Sequence, residues 1–231
     1  MHAVLLQAGG IGIRTGYNIP KQFIPVKEKP IIAHTLECFQ NNDSVDEIYI
    51  SCLTDWITTL RIICKNYNFT KVQHIFDGGK NIFESTSKCI DGIQQNINTN
   101  PLILIHEAVR PLVTSKMIED SFYVAEKFGN AVACYEQIDE TASIENCKIT
   151  SLNFSQNLFV IQNPHTFRLK KLLWAYQHKN ENFGYQGTAV LMNRLGETLH
   201  CSKGDRDCFK ITYEEDIRRF EMLLNQRNHN Q

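Results

Sequence analysis

The chain has 231 residues, 42% of them hydrophobic and 21% charged, and its 24 basic residues against 25 acidic ones leave a net charge of −1. That length favours one α/β domain, here taken as residues 1–231, which buries roughly 70% of its unfolded surface and needs no staple. A near-neutral balance excludes any argument from net charge for nucleic acid or a membrane surface, so an anion site must be a local gathering of cations.

Elements alternate along the first half of the chain. Strands are predicted at Ala3–Ala8, Glu47–Cys52, Val72–Phe76, Pro101–Ile105 and Asn130–Tyr135, with helices at Ile31–Asn41, Ile57–Asn66, Phe83–Gln95 and Ser115–Phe128. Ile32, His34, Leu36 and Phe39 have the spacing of an amphipathic face. Such alternation predicts a Rossmann-like α/β fold: a mostly parallel central sheet with helices on both faces and ligands at the carboxyl ends of the strands. After residue 136 the rhythm changes. Gln137–Asn157 is polar, with Ile144, Ile149 and Leu152 spaced through it, and reads as a protruding β-arm. Helices resume at Arg168–His178 and at Tyr213–Leu224, the latter with Glu214, Glu215 and Asp216 in its first turn. The tail Asn225–Gln231 is polar and expected to fray.

The eight cysteines include no C-x-x-C pair, and most lie in apolar runs, so buried reduced thiols are expected. His34, His74, His165, His178 and His200 lack ligand-like spacing to one another and are expected to be structural or surface residues. The chain enters Ala3-Val4-Leu5-Leu6 with no basic segment or cleavage signal ahead of it, and no apolar run reaches transmembrane length. A cytoplasmic location is therefore expected.

The first strand runs into Gly9-Gly10-Ile11-Gly12-Ile13-Arg14. Glycines here let backbone N–H groups approach a phosphate without Cβ obstruction. No Gly-Lys-Ser/Thr follows, so this is not a Walker loop, and the third glycine of a dinucleotide fingerprint is missing. Arg14 closes the loop and Pro20-Lys21-Gln22 follows, placing two cations near the turn. Such cations suit an α-phosphate that gains charge in a displacement.

These residues resemble the cytidylyltransferases, the group that includes 2-C-methyl-D-erythritol 4-phosphate cytidylyltransferase and ribitol-5-phosphate cytidylyltransferase. The likeness continues in order through Gly78-Gly79 with Ser85, His106-Glu107-Ala108-Val109-Arg110-Pro111, Gln162-Asn163-Pro164-His165-Thr166-Phe167, and Lys210-Ile211-Thr212 with Asp216. It implies a nucleotidyltransferase that binds CTP and Mg²⁺ and releases pyrophosphate when a phosphate monoester attacks the α-phosphorus. It assigns Arg14, Lys21 and Lys210 to catalysis. Ala8, Gly9, Gly10, Gly12, Gly79, Ser85, Glu107 and Ala108 fall to CTP binding, and Arg110, Thr141 and Gln162 to the acceptor. Glu107 stands where the family has Asp, and is the candidate metal ligand. The arm at 137–157 is expected to join a homodimer.

The likeness is weaker on the acceptor side. No Arg occurs between Arg110 and Arg168, where the family carries a phosphate clamp, and Lys148 is the nearest substitute. The family's Thr-Asp-x-Ala becomes Gln186-Gly187-Thr188-Ala189, its Arg after the second glycine pair is Ile82, and its Asn before Lys-Ile-Thr is Cys208. Thr54-Asp55-Trp56, Thr114 and Met117-Ile118 resemble the ribitol enzymes more closely, which points to a polyol phosphate for surface polysaccharide precursors. The isoprenoid precursor and a non-catalytic nucleotide-binding paralogue are the alternatives. A dinucleotide oxidoreductase using Glu28 is disfavoured by the loop.

Overall fold

The computed structural model describes residues 1–10, 16–97, 99–153, 157–179 and 187–229. In chain order they form β1 (His2–Ala8), β2 (Pro25–Val26), β3 (Lys29–Pro30), α1 (Ile31–Gln40), β4 (Glu47–Cys52), α2 (Ile57–Asn66), β5 (Val72–Asp77), α3 (Ile82–Asn96), β6 (Leu102–Glu107), α4 (Ser115–Phe128) and β7 (Asn130–Glu136). Then come β8 (Thr141–Glu145), β9 (Lys148–Asn153), β10 (Phe159–Arg168), α5 (Leu169–Gln177), α6 (Thr188–Arg194), β11 (Cys201–Lys203) and α7 (Glu214–His229).

Seven strands form one sheet in the order β11-β7-β10-β6-β1-β4-β5. All run the same way except β10, which is antiparallel to both β6 and β7. Alternation along β1 decides the two layers. Val4, Leu6 and Ala8 face α1, α2 and α4 through Leu36, Phe39, Leu60, Ile118 and Phe122. Ala3 and Leu5 face α3, α5 and α6 through Ile90, Ile93, Leu172 and Met192. The mostly parallel sheet covered on both faces is thus as the alternation predicts. A third cluster packs Phe220 and Ile217 of α7 on Ile24, Val109, Leu112 and Ile211, and so fixes the segment that carries Lys210.

The arm is an antiparallel ribbon of β8 and β9, with Ala142 opposite Leu152 and Ile144 opposite Ile149. Ile144, Ile149 and Leu152 are all exposed.

One strand is added to the predicted elements and two expectations are corrected. The strand β10 is absent from the predicted elements, because Pro164 lowers the strand reading of its segment. That proline sits where the pairing with β7 slips between Ile161 and His165, which spares the ladder an unmet partner. The C-terminal helix does not end at Leu224 but continues to His229, with Lys27 Nζ donating to Asn225 and Arg227 Nη2 reaching the Leu112 carbonyl at 3.3 Å. Cys134 and Cys201 are joined as a disulfide rather than reduced. Pairing of β11 with β7 brings their Cα atoms to 6.1 Å across 67 residues of sequence, a closeness that spacing does not reveal. The remaining cysteines are free thiols, of which Cys52, Cys89 and Cys208 are buried and pushed up to about 12, chiefly by desolvation.

Candidate active site

A cavity of about 650 Å³ opens at the carboxyl ends of β1, β4 and β6. Its walls are Gln7–Gly10 at the end of β1, Ser51 on β4, Gly79–Ile82 and Ser85 at the start of α3, Glu107 and Val109 after β6, and Lys21, Gln22 and Lys210. The size is that of a small-molecule site, and the place is the one α/β sheets use.

The glycine turn is held from below. Pro20-Lys21-Gln22 begins a single 3₁₀ turn, Lys21–Phe23, and Trp56 stacks on its Phe23 at 4.5 Å. Gln22 is buried, and its Nε2 donates to the carbonyls of Ala8 at 2.7 Å and Gly10 at 2.9 Å. The amide satisfies two backbone acceptors at the start of the loop. Lys21 is also buried, and its Nζ donates to the Ile211 carbonyl at 2.7 Å, tying the turn to the segment after Lys210.

The second glycine pair shapes the opposite wall. Asn81 caps α3 by accepting from Glu84 N at 2.9 Å. Ser85 Oγ accepts from Gly79 N at 2.8 Å and donates to the Asn81 carbonyl at 2.9 Å. A Cβ at Gly79 would lie 2.6 Å from Glu84 Cβ, and one at Gly78 would meet the Cys52 carbonyl at 3.0 Å. Close packing therefore demands glycine at 79. The N-terminus of α3 borders the cavity through Lys80, Asn81 and Ile82, with Asn81 and the Glu84 carboxylate already meeting N–H groups at its start.

Glu107 links the two remaining cations. One carboxylate oxygen accepts from Arg110 Nε at 2.7 Å and the other from Lys210 Nζ. Burial pushes this carboxyl up, but the charges of Lys210 and Arg110 outweigh it and hold it down to about 2. Arg110 Nη1 also reaches the Cys208 carbonyl at 2.9 Å, and Ile211 N donates to the Val109 carbonyl at 2.9 Å. The loop after β6 and the segment before α7 are thereby laced together, which fixes where the Lys210 ammonium stands. Asp216 completes this by accepting from Thr212 N at 2.8 Å and Tyr213 N at 2.9 Å, the carboxylate half of a capping box.

The family profile described as IspD, 2-C-methyl-D-erythritol 4-phosphate cytidylyltransferase, matches residues 1–226. The chain belongs to this cytidylyltransferase family. A ribitol-5-phosphate cytidylyltransferase of Lacticaseibacillus paracasei is 28% identical over 98% of this chain and 99% of its own. A 2-C-methyl-D-erythritol 4-phosphate cytidylyltransferase of Clostridium botulinum is 31% identical over 96% of this chain and 97% of its own. The crystal structure of 4-diphosphocytidyl-2C-methyl-D-erythritol synthase from Anaerococcus prevotii shares the fold, with a TM-score of 0.81 at 20% identity, covering 97% of this chain and 96% of that one. The protein is thus a nucleotidyltransferase, and no helix among the described residues is long and apolar enough to cross a membrane.

In this cytidylyltransferase, Ala8, Gly9, Gly10, Lys21, Gly79, Ser85, Glu107 and Lys210 line the cavity. Gly12 and Arg14 lie outside the described residues. Ala108, Arg110, Gln162 and Thr141 are not in the cavity wall. Ala108 is a strut, donating to Gln7 O at 2.9 Å and accepting from Thr35 Oγ1 at 2.7 Å. Arg110 stands behind Glu107 and pairs with it. Gln162 braces the loop before Lys210, donating to Asp205 O at 3.0 Å and accepting from Asp205 N at 2.7 Å. Thr141 begins β8 on the arm. Three residues that resemble the ribitol branch are scaffold here: Thr114 caps α4, and Met117 and Ile118 are core. Gln7, Ser51 and Asn81 also line the cavity, although no motif marks them. For Gln7 and Ser51 the one available signal is their place near the ends of parallel strands.

Proposed function

We propose that this chain transfers CMP from CTP to a phosphorylated polyol, ribitol 5-phosphate or a similar alditol phosphate, and releases pyrophosphate. The observation that carries this reading is the convergence of Lys21, Lys210 and Glu107 on a glycine-walled cavity at the strand ends, with Arg110 pairing Glu107 from behind. The acceptor's phosphate oxygen attacks the α-phosphorus, and the bond to the β-phosphate oxygen breaks. No protein nucleophile is needed, because the acceptor brings an anionic oxygen. Lys21 and Lys210 offset the charge that grows on the α-phosphoryl oxygens, with Arg14 of the glycine loop as a third cation. The cytosine and ribose lie between Ala8–Gly9 and Gly79–Ser85, where shape and backbone groups exclude a purine.

Mg²⁺ is assigned to the triphosphate rather than to a protein cage. Both Glu107 oxygens are engaged by cations, and among the described residues no three His, Cys, Asp or Glu side chains gather as ligands. Mg²⁺ commonly binds through substrate phosphates and retains water, and there it would neutralise the charge that opposes attack.

The polyol in place of the isoprenoid precursor rests on the changed acceptor-side residues, since relatives of both names match over nearly the whole chain at similar identity. Rates with ribitol 5-phosphate, glycerol 3-phosphate, erythritol 4-phosphate and 2-C-methylerythritol 4-phosphate test it. The expected order puts ribitol 5-phosphate first in kcat/KM. Preference for 2-C-methylerythritol 4-phosphate would move the enzyme to isoprenoid precursors, and CTP binding without turnover of any acceptor would make it a binding paralogue.

The exposed apolar ribbon of the arm, with Ile144 beside Ile149, supports a homodimer that covers it. Light scattering is expected to give twice the chain mass, and Ile144→Asp with Ile149→Asp the single mass. A monomeric wild type would contradict this.

A further inference from the structure

A smaller cleft of about 60 Å³ adjoins the main cavity, sharing Gln7, Ile82 and Glu107 with it. Its far wall is Asn163, His165, Tyr176 and Thr188. Most polar side chains around it have partners. Gln7 Nε2 donates to Thr86 Oγ1 at 2.8 Å, Asn163 Nδ2 donates to Ile105 O at 3.3 Å, and the Tyr176 and Thr188 hydroxyls bond each other at 2.9 Å. Glu107 is held by Arg110 and Lys210. The exception is His165, which is buried at 8% exposure and whose Nε2 has no hydrogen-bond partner among the described residues. Buried polar atoms almost always find a partner, so a ligand atom is the natural one for an atom that borders a cleft. Backbone irregularity fits the same purpose. The pairing of β10 with β7 slips between Ile161 and His165, and such bulges re-aim side chains beside functional sites.

We propose that this side cleft receives the hydroxylated chain of the acceptor and that His165 Nε2 hydrogen-bonds one of its hydroxyls, so that His165 selects among polyol phosphates. The inference rests on the polyol-phosphate reading above. The cleft is a tenth the size of the nucleotide cavity, so it admits the end of a short chain and no nucleoside. Its border at Glu107 puts such a chain next to Lys210, where its phosphate must react. Burial holds the His165 imidazole well below its usual value, at about 4, even with Glu107 raising it. A neutral ring donates or accepts according to tautomer, and a hydroxyl can answer either.

The test compares wild type, His165→Leu and His165→Gln with CTP and two kinds of acceptor, ribitol 5-phosphate and its deoxy analogues lacking single hydroxyls. In wild type, one deoxy analogue is expected to lose about 10-fold or more in kcat/KM. In His165→Leu, ribitol 5-phosphate loses a similar factor while that analogue loses little more, and CTP affinity by calorimetry stays at the wild-type value. His165→Gln, which keeps a hydrogen-bonding amide, recovers part of the loss. If CTP affinity falls in His165→Leu, the same comparison is decided with His165→Gln, whose analogue ranking must then differ from wild type. Unchanged ranking in the variant that keeps CTP affinity overturns the proposal and leaves the nitrogen to buried water. Failure of wild type to use any phosphorylated polyol overturns the functional reading itself, a separate result.

Discussion

Lys210→Ala is expected to lower kcat by about 100-fold or more, the scale of one lost transition-state donor, or ~3 kcal/mol. Lys21→Ala is expected to do the same. Steady-state rates with CTP and the preferred acceptor measure both. The two differ in what else they disturb. Lys210 is partly exposed and shares Glu107 with Arg110, so its loss leaves the carboxylate still paired. Lys21 is buried and donates to the Ile211 carbonyl at 2.7 Å, so its loss also loosens the strap between the glycine turn and the segment before α7. A drop in kcat with KM for CTP nearly unchanged marks a contact made mainly in the transition state. Wild-type rates in both variants would remove these cations from the mechanism.

Acid is expected to weaken the fold well before general carboxylate protonation. His106 and His165 are held at about 4, each first by burial; a bond to the Arg110 backbone raises His106, and Glu107 raises His165, without restoring the usual value. In the unfolded chain both titrate near 6.5. Between those values the unfolded state binds more protons, so stability present above about pH 6.5 is lost as pH falls towards 4. The gap is worth about 3 kcal/mol for each histidine, a large share of the ordinary stability of a domain. Glu107, held at about 2, adds a second loss below about pH 4.3, as its carboxylate becomes protonated. Urea unfolding at pH 7, 5.5 and 4.5 should show a falling free energy, with His165→Gln losing about half of the slope. A flat profile over that range would contradict the buried neutral imidazoles.

Much of the framework is legible in the sequence because its signals are local. The predicted bounds of Glu47–Cys52, Ile57–Asn66 and Ser115–Phe128 are those the elements have. At the last of these, Thr114 supplies an N-cap and Gly129 a left-handed stop at φ 89°. The ligand end of the sheet follows from the βα alternation. What stays hidden depends on distant pairings. The antiparallel β10 needs both β6 and β7 beside it to be stable, and Pro164 argues against a strand. Cys134 and Cys201 meet only once β11 lies against β7. Helix α7 outlasts its polar sequence because Asn225 and Arg227 bond to Lys27 and Leu112, far away in the chain. In the site, Glu107 is legible as an acid at a strand end. That its two oxygens are shared by Arg110 and Lys210 is not, since Lys210 lies 103 residues away. His165 reads as an isolated structural histidine until the fold brings it beside Glu107 and Tyr176.

Phosphorus NMR of the wild-type enzyme with CTP, Mg²⁺ and ribitol 5-phosphate tests CMP transfer most directly. The expected result is loss of the triphosphate signals and growth of pyrophosphate together with a diphosphate-bridged CDP-polyol in equal amounts. CTP left intact with ribitol 5-phosphate and with the three other acceptors would contradict it.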